Sequence, residues 1–163
     1  KIRSLLVSGE VDSWDCLTET LLFNAARADH INRLIAPALA EGKTVICDRF
    51  LDSTLVYQGI GKGLGEAYIK SLHHIIFGNF MPNLTIMLDI SPEEGLSRAG
   101  RRNHDENRFE KLDIEFHQKI RAGFLDIARR ESERCVVLDA RQEADVIHKQ
   151  IIETIGSRLG IIL

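Results

Sequence analysis

Long apolar runs are missing from the chain. The longest uninterrupted ones, such as Cys135-Val136-Val137-Leu138, are a few residues, far short of the ~20 that span a bilayer. Charge of one sign is missing too: 21 Lys and Arg stand against 24 Asp and Glu, a net of −3. No global basic field therefore recruits nucleic acid or anionic lipid. Cysteine is sparse. Cys16, Cys47 and Cys135 are odd in number, far apart and without a C-x-x-C pair, which argues against a disulfide or zinc framework and fits a reducing cytosol. The first residues carry no signal-peptide pattern, so a cytoplasmic protein without a membrane segment is expected. What remains is 163 residues, 44% hydrophobic and 28% charged, enough for one compact domain with a real core.

Familiar catalytic spacings are also scarce. No H-E-x-x-H occurs among the six histidines, and His73 and His74, adjacent on a helix, point about 100° apart and suit no shared metal. Ile60-Gly61-Lys62-Gly63-Leu64-Gly65 is rich in glycine but is no phosphate loop. That motif needs G-x-x-x-x-G-K-[ST], and here a glycine follows the lysine. The segment reads as a flexible connection into the next helix.

Three segments read as buried strands: Thr44–Asp48, Leu84–Asp89 and Val136–Asp139. Each is a short, nearly continuous apolar run, as in a parallel sheet covered on both faces, and each ends in aspartate. Carboxyl ends of such strands border the ligand crevice, although Asp also serves in turns and caps. Between the strands lie helical stretches. Thr18–Ala40 is broken only by Pro37, where a kink is expected, and stopped by Gly42. Glu66–Phe77 has Gly78 as its stop. Ser91-Pro92-Glu93-Glu94 combines a capping serine, a first-turn proline and acids at the positive end of the helix dipole. Leu112–Arg130 and Glu143–Leu159 complete the set, and Lys1–Val7 reads as a helix already under way. Strands alternating with helices predict an α/β domain.

Polar residues gather at the end of the first apolar run, in VICDRFLDSTLVYQG (45–59). Asp48 could hold the hydration shell of a metal, and Arg49 could fork onto phosphate, because its planar donors match phosphate oxygens in pairs. A surface ion pair capping the strand is the alternative. Phe23 and Arg27 lie one helical turn apart and share a face, so they could hold a planar heterocycle by stacking and by hydrogen bonds to its edge. The alternative is a core Phe beside a snorkelling Arg. Arg98, Arg101, Arg102 and Arg108 cluster around Gly100 and the polar run 103–107. They suit either a mobile lid over a polyphosphate or a solvated basic loop.

Together these segments resemble the bacterial thymidylate kinase family. The resemblance runs through TETLLFNAARADH (18–30), PALAEGKTVICDRFLDSTLVYQGIGKGLGE (37–66), MPNLTIMLDISPEEGLSRAGRR (81–102) and NRFEKLDIEFHQKIRAGFLDIA (107–128). The D-R-F, D-S-T and Y-Q-G block is the most specific part. The resemblance implies a P-loop NTPase-like nucleoside monophosphate kinase fold, a parallel sheet flanked by helices. It also implies transfer of the ATP γ-phosphate to dTMP with Mg2+, in dTTP biosynthesis, by a homodimer.

The roles implied are specific. Phe23 would stack on thymine, Arg27 would reach its carbonyl edge, and Gln58 would read the same edge, with Ser53 and Thr54 lining the pocket. Arg49 would hold the 5′-phosphate, and Asp48 would organise the magnesium region through water. Arg3 would face the acceptor nucleotide. Arg101 and Arg102 would serve the transferring phosphoryl group from a lid near 98–108, within a single domain over 1–163. Arg108 falls in the family's D-R-[FI]-E position, but Asn107 stands where the family has aspartate.

One departure is larger. The family's opening strand, its P-loop and its R-E-P-G-G segment have no counterpart in these 163 residues. In P-loop enzymes that loop supplies most of the grip on ATP and magnesium. The expectation is that the sequence is the C-terminal part of a longer native chain, inactive as a kinase by itself. Two alternatives are a kinase for another nucleoside monophosphate, or a non-catalytic nucleotide-binding module that natively lacks the loop.

Overall fold

The computed structural model describes residues 2–7, 10, 12–100 and 108–161. Arg101, Arg102 and Asn107 lie outside the described residues, as does the side chain of Arg3. The chain divides into two compact units, residues 1–80 with 102–113 and residues 81–101 with 114–163.

The first unit is helical. Helix α1 (Ile2–Val7) is followed by α2 (Cys16–His30), whose start is fixed by Asp15: its carboxylate accepts the Thr18 backbone N–H at 2.9 Å. Helix α2 passes through a π-helical turn, Ile31–Ile35, into α3 (Ala36–Ala40). The expected disturbance at Pro37 takes this form. Proline has no N–H and its ring crowds the carbonyl four residues back. In the widened turn the neighbouring Ala36 N–H bonds instead to Ile31 O, five residues back. Gly42, at φ +74°, turns the chain beyond α3.

Thr44–Asp48 corrects the sequence-based expectation. It is an unpaired segment rather than a buried strand, and Ile46 is 85% exposed. A strand is made by its neighbour, and no described strand of this unit runs beside it. The following residues hold a helix that the sequence hides. Helix α4 (Leu51–Thr54) runs into a second π-helical turn, Leu55–Gly61, closed by Lys62 N–H donating to Tyr57 O at 2.9 Å. Leu51, Leu55 and Val56 are buried, but so are Asp52, Thr54 and Gln58. Polar residues at core positions erase the period that marks an amphipathic helix. The turn packs on α5 (Glu66–Phe77), where a Cβ on Gly59 would stand 3.3 Å from Ile69 Cγ1. Helix α5 ends at Gly78, as the sequence predicts.

The second unit carries the sheet. Strand β1 (Thr85–Asp89) pairs in parallel with β2 (Cys135–Asp139), Asp89 opposite Asp139. Helices α6 (Pro92–Gly100), α7 (Ile114–Arg130) and α8 (Ala144–Leu159) surround them. Helix α6 begins as expected, with the Glu94 N–H donating to Ser91 Oγ at 3.3 Å. Met87, Ile120, Ile127 and Cys135 form the core. Coverage of the sheet is incomplete, since Leu88 and Val137 remain 52% and 40% exposed. The architecture is α/β, a small parallel sheet flanked by helices. No described helix is long and apolar enough to cross a membrane.

Candidate active site

Most of the predicted site residues that are described fall in the first unit, on α2 and on the stretch from Asp48 to Gln58. Arg27 is the best fixed. Its Nη1 donates to Asn24 Oδ1 at 3.1 Å, and its Nη2 donates to Phe50 O at 3.2 Å and to Thr54 Oγ1 at 2.5 Å. The guanidinium carbon lies 5.3 Å from the centre of the Phe50 ring. Burial lowers the Arg27 pKa to about 10, which leaves a cation at neutral pH. Three N–H bonds are thus spent on holding the group, and a guanidinium has five to give.

Arg49 is a contrast. It is exposed, its Nη1 is 3.4 Å from Ser53 Oγ, and its Cζ is 5.5 Å from the Tyr57 ring centre. Asp48 is exposed beside it. Arg49 precedes α4, and its contacts set the guanidinium beside both the Ser53 hydroxyl and the Tyr57 ring. Tyr57 meets Phe109 edge-on at 5.4 Å, and Phe109 in turn lies 6.3 Å from Phe23 at 41°. A row of rings therefore links Phe23 to Arg49.

Gln58 has a more elaborate setting than its expected role suggests. It is buried, and its Nε2 donates to Glu19 Oε1 at 2.8 Å. Glu19 is wholly buried, and its other oxygen accepts from Lys62 Nζ at 2.9 Å and Arg108 Nη1 at 2.5 Å. Arg108, 1% exposed, also donates to Leu6 O at 3.1 Å and, through Nε, to Glu10 O at 2.8 Å. Reading the sequence missed Glu19 and assigned Arg108 to a lid or basic loop. Only the burial of a charged cluster in three dimensions reveals the group. Lys62, set aside as a phosphate-loop lysine, closes the cluster from its rim.

In the second unit the strand-end aspartates are already engaged. Arg121 grips Asp89 in bidentate fashion at 2.7 and 2.8 Å, and Arg141 grips Asp139 at 2.8 to 3.2 Å. The arginine lowers the carboxyl pKa in both cases, for Asp139 to about 2. Arg98 donates to Ala140 O and to Glu94 Oε1, both at 2.7 Å. Among the described residues, no group of three or more His, Cys, Asp or Glu is placed to hold a metal ion.

The structure shows a small parallel sheet flanked by helices, and the family match identifies this α/β architecture as part of a P-loop NTPase-like fold. The chain belongs to the thymidylate kinase family, whose model matches residues 1–151. It is 48% identical over 160 residues to a thymidylate kinase of Caulobacter vibrioides, covering 98% of this chain and 76% of the relative. It is 44% identical to one from Ruegeria pomeroyi, over 98% and 75% respectively. It is 51% identical to one from Dinoroseobacter shibae, over 89% and 70%.

Proposed function

We propose that the protein transfers the γ-phosphoryl group of ATP to dTMP, giving dTDP for dTTP synthesis, and that the first unit forms the acceptor site. The observation that carries this reading is the contrast between its two arginines. Arg27 is immobilised by Asn24, Phe50 and Thr54 and keeps donors to spare, which suits the carbonyl edge of a base. Arg49 is exposed beside Ser53 and Tyr57, which suits a solvated phosphate. Phe23, at the far end of the ring row, offers a face to thymine. Gln58 reads the base edge, with Ser53 and Thr54 beside it, and Arg3 faces the acceptor nucleotide.

Phosphoryl transfer asks little covalent chemistry of the protein; it asks for alignment and for charge to offset that of the migrating group. Arg49 orients the acceptor phosphate, and Arg101 and Arg102, from a lid near 98–108 of a single kinase domain, offset the charge. Magnesium is usually held by one or two carboxylates together with substrate phosphates, the rest of its shell being water. The exposed carboxylate of Asp48 fits such a role through water, and the bound ion would neutralise phosphate charge. A homodimer and a cytoplasmic location follow from the family resemblance and belong to the same proposal.

Substrate profiling of the full-length protein with ATP and magnesium tests the reading. Preferred phosphorylation of dTMP is expected. Preference for dCMP, dGMP or UMP would move the function to another monophosphate, and nucleotide binding without turnover would make the protein a non-catalytic module.

A further inference from the structure

We infer that Glu19 is a positioning residue that sets which base the site accepts, by fixing the orientation of the Gln58 carboxamide. The inference rests on the proposal that Gln58 meets the base. A glutamine side chain can offer a ligand either a carbonyl oxygen or an NH2 group, and the two ends are nearly equal in size. Its orientation is therefore set by what it meets inside the protein.

Here it meets a carboxylate. Glu19 holds Lys62 and Arg108 on one oxygen and Gln58 Nε2 on the other. An ionised carboxylate only accepts, so the NH2 end of Gln58 must face it. The carbonyl end is left for a ligand, and among the described residues no donor reaches Gln58 Oε1. An oxygen held there favours a ring nitrogen that carries a hydrogen. Thymine has such an N3–H, whereas cytosine presents a bare N3 acceptor at the same position. The cytosine nucleotide would set two acceptors face to face, with no way for the amide to flip. Glu19 would act on specificity without touching the substrate.

The test compares kcat/KM for dTMP and dCMP in the full-length protein and three variants. Glu19→Gln presents either an oxygen or an NH2 to Gln58, so the amide is free to turn. The ratio of dTMP to dCMP is expected to fall by ~10-fold, with part of the gain in KM for dCMP. Arg108→Gln disturbs the same buried cluster but leaves the Glu19 contact with Gln58 intact, so the ratio is expected to hold even if the melting temperature drops. Gln58→Leu removes the reader itself.

A ratio lost in Gln58→Leu but retained in Glu19→Gln would overturn the positioning role alone. A ratio retained in Gln58→Leu would instead overturn the proposal that Gln58 meets the base. If Glu19→Gln does not fold, the unsubstituted protein decides. Side-chain 15N NMR should show one Gln58 carboxamide proton exchanging slowly, and exchange of both at solvent rates would contradict the inference.

Discussion

Glu19 in the first unit and Asp89 and Asp139 in the second all face arginine, in opposite surroundings. Glu19 and Arg108 are 0% and 1% exposed, and their charges meet each other, Lys62, Gln58 and backbone carbonyls, with the Phe109 ring beside the guanidinium. Asp139 and Arg141 stand in solvent at a strand end, and Asp89 and Arg121 are only partly covered. Water does for the second group what the protein must do for the first. Breaking a buried pair leaves a stranded charge, whereas breaking an exposed one lets water take over. The same chemical contact therefore holds a buried cluster together in one unit and merely trims a surface in the other.

The comparison can be broken most forcefully at Glu19. Glu19→Ala strips the counter-charge from Arg108 and Lys62 and should cost about 3–5 kcal/mol of stability, read from urea unfolding. A loss below about 1 kcal/mol would mean that water reaches the cluster. Next comes Arg49, which is exposed and which the proposal assigns to the acceptor phosphate rather than to the core. Arg49→Ala should cut dTMP turnover by roughly tenfold or more, with stability changed by no more than about 0.5 kcal/mol. Wild-type turnover would remove Arg49 from the mechanism.

Smaller effects are expected in the second unit. Arg121→Ala, discounted for solvent screening, should cost at most about 0.5 kcal/mol, and less in high salt. At Asp139 the readout is titration. Its folded pKa of about 2 lies below the ordinary 3.8, so its contribution is present above the higher value and fades as pH falls toward the lower. Arg141→Ala should return the Asp139 carboxyl toward 3.8 in a 13C NMR titration, closing that acid window. An unchanged value would mean that something other than Arg141 holds the proton off.

Local signals were legible in the sequence where the physics is local. Gly78 ends α5 and Ser91-Pro92 opens α6 as read, because a stop or a cap acts within one turn. Strands β1 and β2, each ending in aspartate, were visible as apolar runs. Thr44–Asp48 had the same look and is not a strand, because pairing depends on a neighbour that composition does not reveal. The helix from Leu51 was hidden by its own burial, since Asp52, Thr54 and Gln58 occupy positions that patterning reserves for apolar residues. In the candidate site, the nearness of Arg27 and Thr54 was foreshadowed only by the family resemblance, which puts both at the base. The Glu19 cluster was not, because its partners come from 39 and 89 positions away.

The most direct test of the acceptor site is a crystal structure of the full-length protein with dTMP. Thymine should lie against Phe23 with its edge toward Arg27 and Gln58, and the phosphate should be held by Arg49. A nucleotide bound elsewhere, with Phe23 and Arg49 facing apart and nothing between them, would contradict the account.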